Sequence, residues 1–330
     1  MSTLASNPST PGHRSPAADL ERIVLVTRQT RLEEMRARFG TLGQAKFKVK
    51  RARQIEGAHL DFSALEAEHD TYHRSLDVLM RQLELGLKLQ VIDRSFAPSY
   101  LFTPHDIVVT LGQDGLVANT AKYATGQPIV AVNPDPDRFD GVLLPFLPRQ
   151  VAPALRRVIA GRAQLRPVTL AEARLGDGQR LLAFNDLFIG TRSHVSARYL
   201  ISVGGKQEPQ SSSGVIVSTG AGSTGWLSSM FNMAAGISRF AGQEPVAAKP
   251  FAWEDPRLFF VVREPFASRT SGAIIVAGEI APEDALVLES HMPSGGVIFS
   301  DGMENDALVF DSPVVAHISA AEQQALLVMP

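Results

Sequence analysis

The chain has no cysteine among its 330 residues, which excludes disulfides and thiolate metal sites. It also has little charge imbalance. Its 32 Lys and Arg against 34 Asp and Glu leave a net charge of −2, so there is no global footprint for nucleic acid or an anionic membrane. No apolar run approaches the roughly 20 residues that span a bilayer. The two commonest nucleotide-binding signatures, a GxxxxGK[ST] loop and a GxGxxG fingerprint, do not occur. Residues 1–18 are rich in Ser, Pro and Ala, with Arg14 the only fixed basic residue. They lack both the apolar core of a secretion signal and the arginines of a transit peptide. They read as a disordered tail on a cytoplasmic protein with no nucleic-acid or membrane partner.

What the chain does have is apolar residues, 45% of the total, enough for a sizeable core divided between two domains. Ile23 to Thr27, Leu89 to Ile92, Ile107 to Leu111 and Pro128 to Val132 are short buried-strand patterns. Between the first two, Arg31 to Leu89 is highly charged with helical apolar spacing. Strands alternating with helices imply a Rossmann-like parallel α/β domain over residues 19–160, with ligands beyond the carboxyl ends of the strands. After about Ala160 short apolar runs alternate with turn residues, from Leu181–Ile189 through Tyr199–Val203, Gly214–Ser218, Leu258–Arg263 and Ala273–Ala277 to Val314–Ser319. That pattern predicts a β-sandwich over residues 161–330, interrupted by a helix and a Pro-containing loop between Met230 and Pro256.

Three motifs carry chemistry. Gly112-Gln113-Asp114-Gly115 follows the strand Ile107–Leu111 and precedes a small-residue helix pattern. The glycines let backbone N–H groups approach a phosphate, and the helix N-terminus favours negative charge. An aspartate there repels phosphate unless it binds a metal or takes a proton from an attacking hydroxyl, so phosphoryl transfer to an alcohol is the chemistry implied. Ser218-Thr219-Gly220-Ala221-Gly222-Ser223-Thr224-Gly225-Trp226 offers four hydroxyls and several backbone donors in nine residues, a loop able to wrap a ribose or phosphate. Asn185-Asp186 is a polar pair inside an apolar strand pattern, and it must find partners when buried. Two further features read as ordinary helix surface. His69 and His73 share a helical face without an HExxH pattern or a nearby carboxylate set, and the basic run from Lys46 to Arg53 is an exposed helix face.

The three motifs, in this order and spacing, resemble the NAD kinase family, and within it the mitochondrial type and its bacterial relatives. Asn133-Pro134-Asp135-Pro136, Asn185 to Gly190, Ser212-Ser213-Gly214 and Arg263-Glu264-Pro265 carry the likeness to that branch, which extends from about Ile23 to Gly302. The resemblance implies a NAD kinase/diacylglycerol kinase-like fold and a Mg²⁺-dependent transfer of the ATP γ-phosphate to the adenosine ribose 2′-hydroxyl of NAD or NADH. It implies Asp114 as the catalytic residue. Gly112, Gln113, Gly115 and Asn133 would lie at the phosphates and nucleotide, and Asn185, Asp186, Thr219, Gly222, Ser223, Thr224 and Trp226 at NAD. It also implies a homodimer assembled through the β domain. The departures are Gln113 and Leu116, where the family has glycine and threonine, Ser213 where most bacterial members have aspartate, and little room for the family's C-terminal helix. A glycine position with φ > 0 would strain Gln113. Two other readings are a catalytically silent dinucleotide-binding relative and a lipid or sugar kinase with the same GGDG turn.

Overall fold

The computed structural model describes residues 20–56, 61–247 and 250–330; the tail expected over residues 1–18 lies outside them. The opening strands form where expected: β1 (Arg22–Thr27), β2 (Lys88–Asp93), β3 (Asp106–Leu111) and β4 (Pro128–Val132). β1 pairs in parallel with β2 and β3, and β3 with β4. β3 and β4 are buried along their whole length, as fits a parallel sheet covered on both faces. Helices α1 (Arg31–Phe39), α2 (Leu42–Glu56) and α3 (Phe62–Gln82) fill the long connection from β1 to β2. In α2 the Lys and Arg of the basic run face solvent while Ala45 and Val49 are buried. α4 (Asp114–Ala121) follows β3, and α5 (Val151–Ile159) leads into the second half. No helix among the described residues is long and apolar enough to cross a membrane.

The second half is antiparallel. It comprises β5 (Leu165–Leu175), β6 (Arg180–Ala183), β7 (Asp186–Thr191), β8 (Ala197–Val203), β9 (Lys206–Ser212) and β10 (Val215–Ser218). The helix α6 (Trp226–Phe240) comes next. After it run β11 (Leu258–Val262), β12 (Ala277–Ile280), β13 (Leu286–Ser290), β14 (Gly296–Ser300), β15 (Met303–Val309) and β16 (Val315–Val328). One six-stranded sheet has the order β12-β11-β10-β7-β14-β15. It packs on β5, β6, β8, β13 and β16 through one core that includes Leu187, Ile189, Tyr199, Phe260, Leu288 and Ile318. This is the sandwich.

Several details differ from the sequence expectation. β5 and β9 are additional strands; β9 is mostly polar and carries Pro209 at the sheet edge, where a missing N–H costs no ladder bond. The single run expected over Leu181–Ile189 is two strands, broken at Phe184 and Asn185. The two halves are also joined. After a register shift between Ala320 and Gln324, β16 leaves the sandwich, and Leu326 and Leu327 pair in parallel with Pro128 and Ile129 of β4. β16 therefore makes a return to the first sheet.

Candidate active site

The strand–turn–helix unit forms as the local sequence requires. Gly112 is buried at the end of β3, and a Cβ there would come within 2.7 Å of the Leu116 side chain. Gln113 is the N-cap of α4 with φ −99° and ψ 169°. That is extended backbone open to any residue, so the strain expected of a positive φ does not arise. Leu116, 3% exposed, packs into the core beneath the turn. Gly115 is exposed, and a Cβ there meets nothing within 4 Å. The N-terminus of α4 is thus open at the point where unpaired backbone N–H groups and the helix dipole favour an anion.

Asp114 opens α4, and its Oδ1 accepts a hydrogen bond of 2.7 Å from the Leu143 N–H. Asn133 shapes the loop that supplies this donor. Its Nδ2 donates to the Phe139 carbonyl at 3.0 Å, and its Oδ1 accepts from the Asp135 N–H at 3.0 Å. Asn133, 4% exposed, spends these polar atoms on its own loop and reaches the site through Leu143.

The hydroxyl-rich loop is docked onto the break between β6 and β7. Thr219 Oγ1 donates to the carbonyls of Phe184 and Asn185 at 2.6 and 3.2 Å and accepts from the Gly222 N–H at 3.2 Å. Gly222 is indispensable for contact: a Cβ would collide with the Asn185 carbonyl and stand 2.7 Å from Ser218 Oγ. Ser223 Oγ donates to the Gly220 carbonyl at 2.7 Å. Thr219 and Ser223 are buried and engaged inside the loop, whereas Thr224 is exposed at its tip. Trp226 begins α6 and stacks on Phe188 with 5.8 Å between centroids and 11° between planes. The Arg263 guanidinium lies 5.4 Å from the Trp226 ring and 5.8 Å from that of Phe188. With Phe299 and Arg192 these residues line a cavity of about 170 Å³.

Asp301 holds the other side of the break, a residue that motif reading does not single out. Its carboxylate accepts the backbone N–H groups of Phe184, Asn185 and Asp186 at 2.9, 2.7 and 3.3 Å. Asp301 and Gly302 form the β14–β15 turn with φ 52° and 70°, the geometry behind the Asp-Gly hairpin preference. That dipeptide was the available signal. Asp186 is 8% exposed and lies within the electrostatic reach of this second carboxylate. Burial first, and the Asp301 charge second, push Asp186 up to about 7. Burial also raises Asp301, to about 6, against the opposing pull of its three N–H donors and Lys122. Lys122, at the end of α4 and 3% exposed, donates to Ser300 Oγ at 2.7 Å and to Asp306 at 2.9 Å.

Folding brings the separate motifs together. Leu116, Val117 and Ala118 behind Asp114 share one core with Phe184, and Ala221 and Trp253 pack against it. Arg28 follows β1, and its Cδ lies 3.5 Å from the Cβ position of Gly112, so it too borders the turn. The donor set suits Mg²⁺ arriving with a nucleotide. Asp114 supplies a carboxylate, but among the described residues it belongs to no group of three or more ligands, and Mg²⁺ commonly takes one or two carboxylates plus substrate phosphates.

A parallel α/β unit joined to an antiparallel sandwich, with a carboxylate-bearing turn packed beside a hydroxyl-rich loop, defines the fold of the NAD and NADH kinases. The yeast NADH kinase, solved in complex with NADH, superposes with a TM-score of 0.56 at 16% identity over 94% of this chain and 84% of its own. An Archaeoglobus fulgidus NAD kinase in complex with ATP superposes with a TM-score of 0.52 at 15% identity, over 93% of each chain. Among curated sequences, the mitochondrial NAD kinase 2 of Rattus norvegicus is 26% identical over 319 residues, 75% of this chain and 74% of the relative. The human protein of the same name is 25% identical over 319 residues, 75% and 71% respectively. A NAD kinase of Chlorobium phaeobacteroides is 28% identical over 126 residues, 37% of this chain and 43% of its own. No family model matches the chain. In sequence and in fold, the chain is similar to NAD kinases.

Proposed function

We propose that the protein is a NAD kinase that transfers the γ-phosphoryl group of ATP to the 2′-hydroxyl of the adenosine ribose of NAD or NADH. The observation that carries this reading is Asp114. It is fixed at an open helix N-terminus by the Leu143 N–H and joined through a shared core to the loop built on Thr219 and Gly222. The 2′-oxygen attacks the γ-phosphorus as the bond to the bridging oxygen breaks, ADP leaves, and the hydroxyl proton passes to the Asp114 carboxylate. Mg²⁺, brought with ATP, neutralises phosphate charge. An ordinary carboxylate is a weak base for an alcohol, so proton acceptance is concerted with transfer. The α4 N-terminus and Gly115 receive the phosphates, while Asn185, Asp186, Ser223 and Thr224 border the adenosine half.

Gln113 does not oppose this reading, since its extended backbone carries a side chain without strain. A homodimer belongs to the same proposal. α6 buries only Leu227 fully and leaves Met233, Ile237 and Phe240 exposed, an apolar face for a second copy to cover.

The test is an NADP-specific coupled assay with Mg²⁺-ATP and NAD, run beside Asp114→Asn. Wild type should form NADP. The variant should keep its melting temperature and lose about 10²–10⁴-fold in kcat. No NADP from wild type, despite saturable NAD binding, overturns the kinase in favour of a silent dinucleotide binder.

A further inference from the structure

A second cluster of chemistry-bearing side chains lies on α1 and α3. His69 and His73 sit one turn apart on α3 without an HExxH pattern, and the fold brings Glu33 of α1 against them. The position of Glu33 is set by a capping box at the start of α1. The Thr30 side chain accepts from the Glu33 N–H at 3.3 Å, and the Thr30 N–H donates to Glu33 Oε2 at 2.7 Å. That leaves Oε1 facing His73 Nε2 at 3.1 Å. Thr30 Oγ1 also lies 2.9 Å from His69 Nδ1. One capping turn therefore addresses both imidazoles, whose ring centroids are 4.3 Å apart.

We propose that Glu33, His69 and His73 form a binding site for a zinc-type divalent transition-metal ion. One ligand atom from each of the three lies within 4.8 Å of the others. Ligands around tetrahedral Zn²⁺ at about 2.0–2.1 Å stand about 3.3 Å apart, so closing the site needs only side-chain adjustment. Two imidazoles and one carboxylate form a mixed nitrogen–oxygen set suited to zinc and its neighbours. Hard Mg²⁺ and Ca²⁺ prefer several oxygens, and one carboxylate does not provide them. All three residues are partly exposed, and they line an open cavity of about 600 Å³ that admits the ion and a completing water. Arg36 lines the same cavity, a further reason that a purely electrostatic cation site would fail there.

The ion would act as a clip between α1 and α3. Tyr72 stands between the two histidines in sequence. Its hydroxyl accepts from the Arg28 N–H at 3.1 Å and donates to the Leu111 carbonyl at 3.3 Å. Leu111 is the residue before Gly112, so the clip braces the helix that holds the catalytic turn from behind. The inference stands on these side chains and does not depend on the substrates proposed above.

The experiment is Zn²⁺ titration of the full, chelator-treated chain by calorimetry, with thermal melting and Co²⁺ absorption as second and third readouts. One equivalent of Zn²⁺ should bind and raise Tm by about 2 °C or more. Co²⁺ should give the intense visible bands of a four-coordinate centre. His73→Ala leaves the capping box intact, and it should weaken binding at least about tenfold, as should Glu33→Gln. Asp114→Asn, outside the cluster, should bind Zn²⁺ as wild type. Absence of stoichiometric Zn²⁺ binding, or binding undiminished in the folded His69→Ala/His73→Ala double variant, overturns the proposal.

Discussion

At the scale of single residues, Asp186 and Asp301 are two acidic groups with different partners. Asp301 accepts three backbone N–H bonds, whereas Asp186 is buried beside its charge. Because Asp186 is raised to about 7, its folded form holds a proton that the unfolded chain loses near pH 4. The stability it contributes is full below that lower value and is lost as pH rises through about 7. Urea denaturation of wild type at pH 5 and pH 8 should therefore show a decline of about 2–3 kcal/mol from this group. In Asp186→Asn the same comparison should be flatter; an equally steep decline would assign the effect elsewhere. Gly222→Ala is a test of close approach. A methyl group driven against the Asn185 carbonyl should cost about 1–3 kcal/mol and weaken NAD binding with it, read by melting and by ligand titration.

Between elements, the contacts that matter join α4 to the β14–β15 hairpin and β16 to β4. Lys122→Ala would leave Asp306 and Ser300 without their buried cation. Breaking one side of such a pair costs about 3–5 kcal/mol, and denaturant melts of the variant should show a loss of that size. Burial pushes Tyr123 upward in pKa, with its bond to Asp306 acting the same way, so this phenol stays neutral as a donor. In β16, Leu327 is 3% exposed and pairs with Ile129. Leu327→Ala should lower unfolding free energy by about 2–5 kcal/mol. Both halves should then still melt in one transition if β16 fastens them as a unit.

At the scale of the whole molecule, a helix whose apolar face is largely uncovered stands out. Met230, Ala234 and Ile237 of α6 line a cavity of about 530 Å³ with Val261 and Pro265. Isolated apolar residues on a surface are ordinary, whereas a contiguous patch marks an interaction site. Light scattering coupled to size exclusion should give the mass of two chains for wild type. Ile237→Glu combined with Phe240→Glu should give one chain with unchanged secondary structure. A wild-type monomer would remove the homodimer from the proposed function.

The sequence by itself determined the strand–turn–helix unit from Ile107 through Asp114, the four parallel strands and the sandwich character of the second half. Each rests on local patterning: β-branched runs, glycine at a turn, and apolar periodicity. The candidate residues Asp114, Thr219 and Gly222 were legible as motifs for the same reason, because each lies in a short segment of recognisable spacing. Only the tertiary structure decided that Asp301 grips the bend at Asn185 and that Leu327 returns to β4. It alone set Glu33 against His73, forty positions away in sequence. These are pairings between distant segments, in which a polar group's role is fixed by the partner that burial brings to it. No window along the chain contains both members.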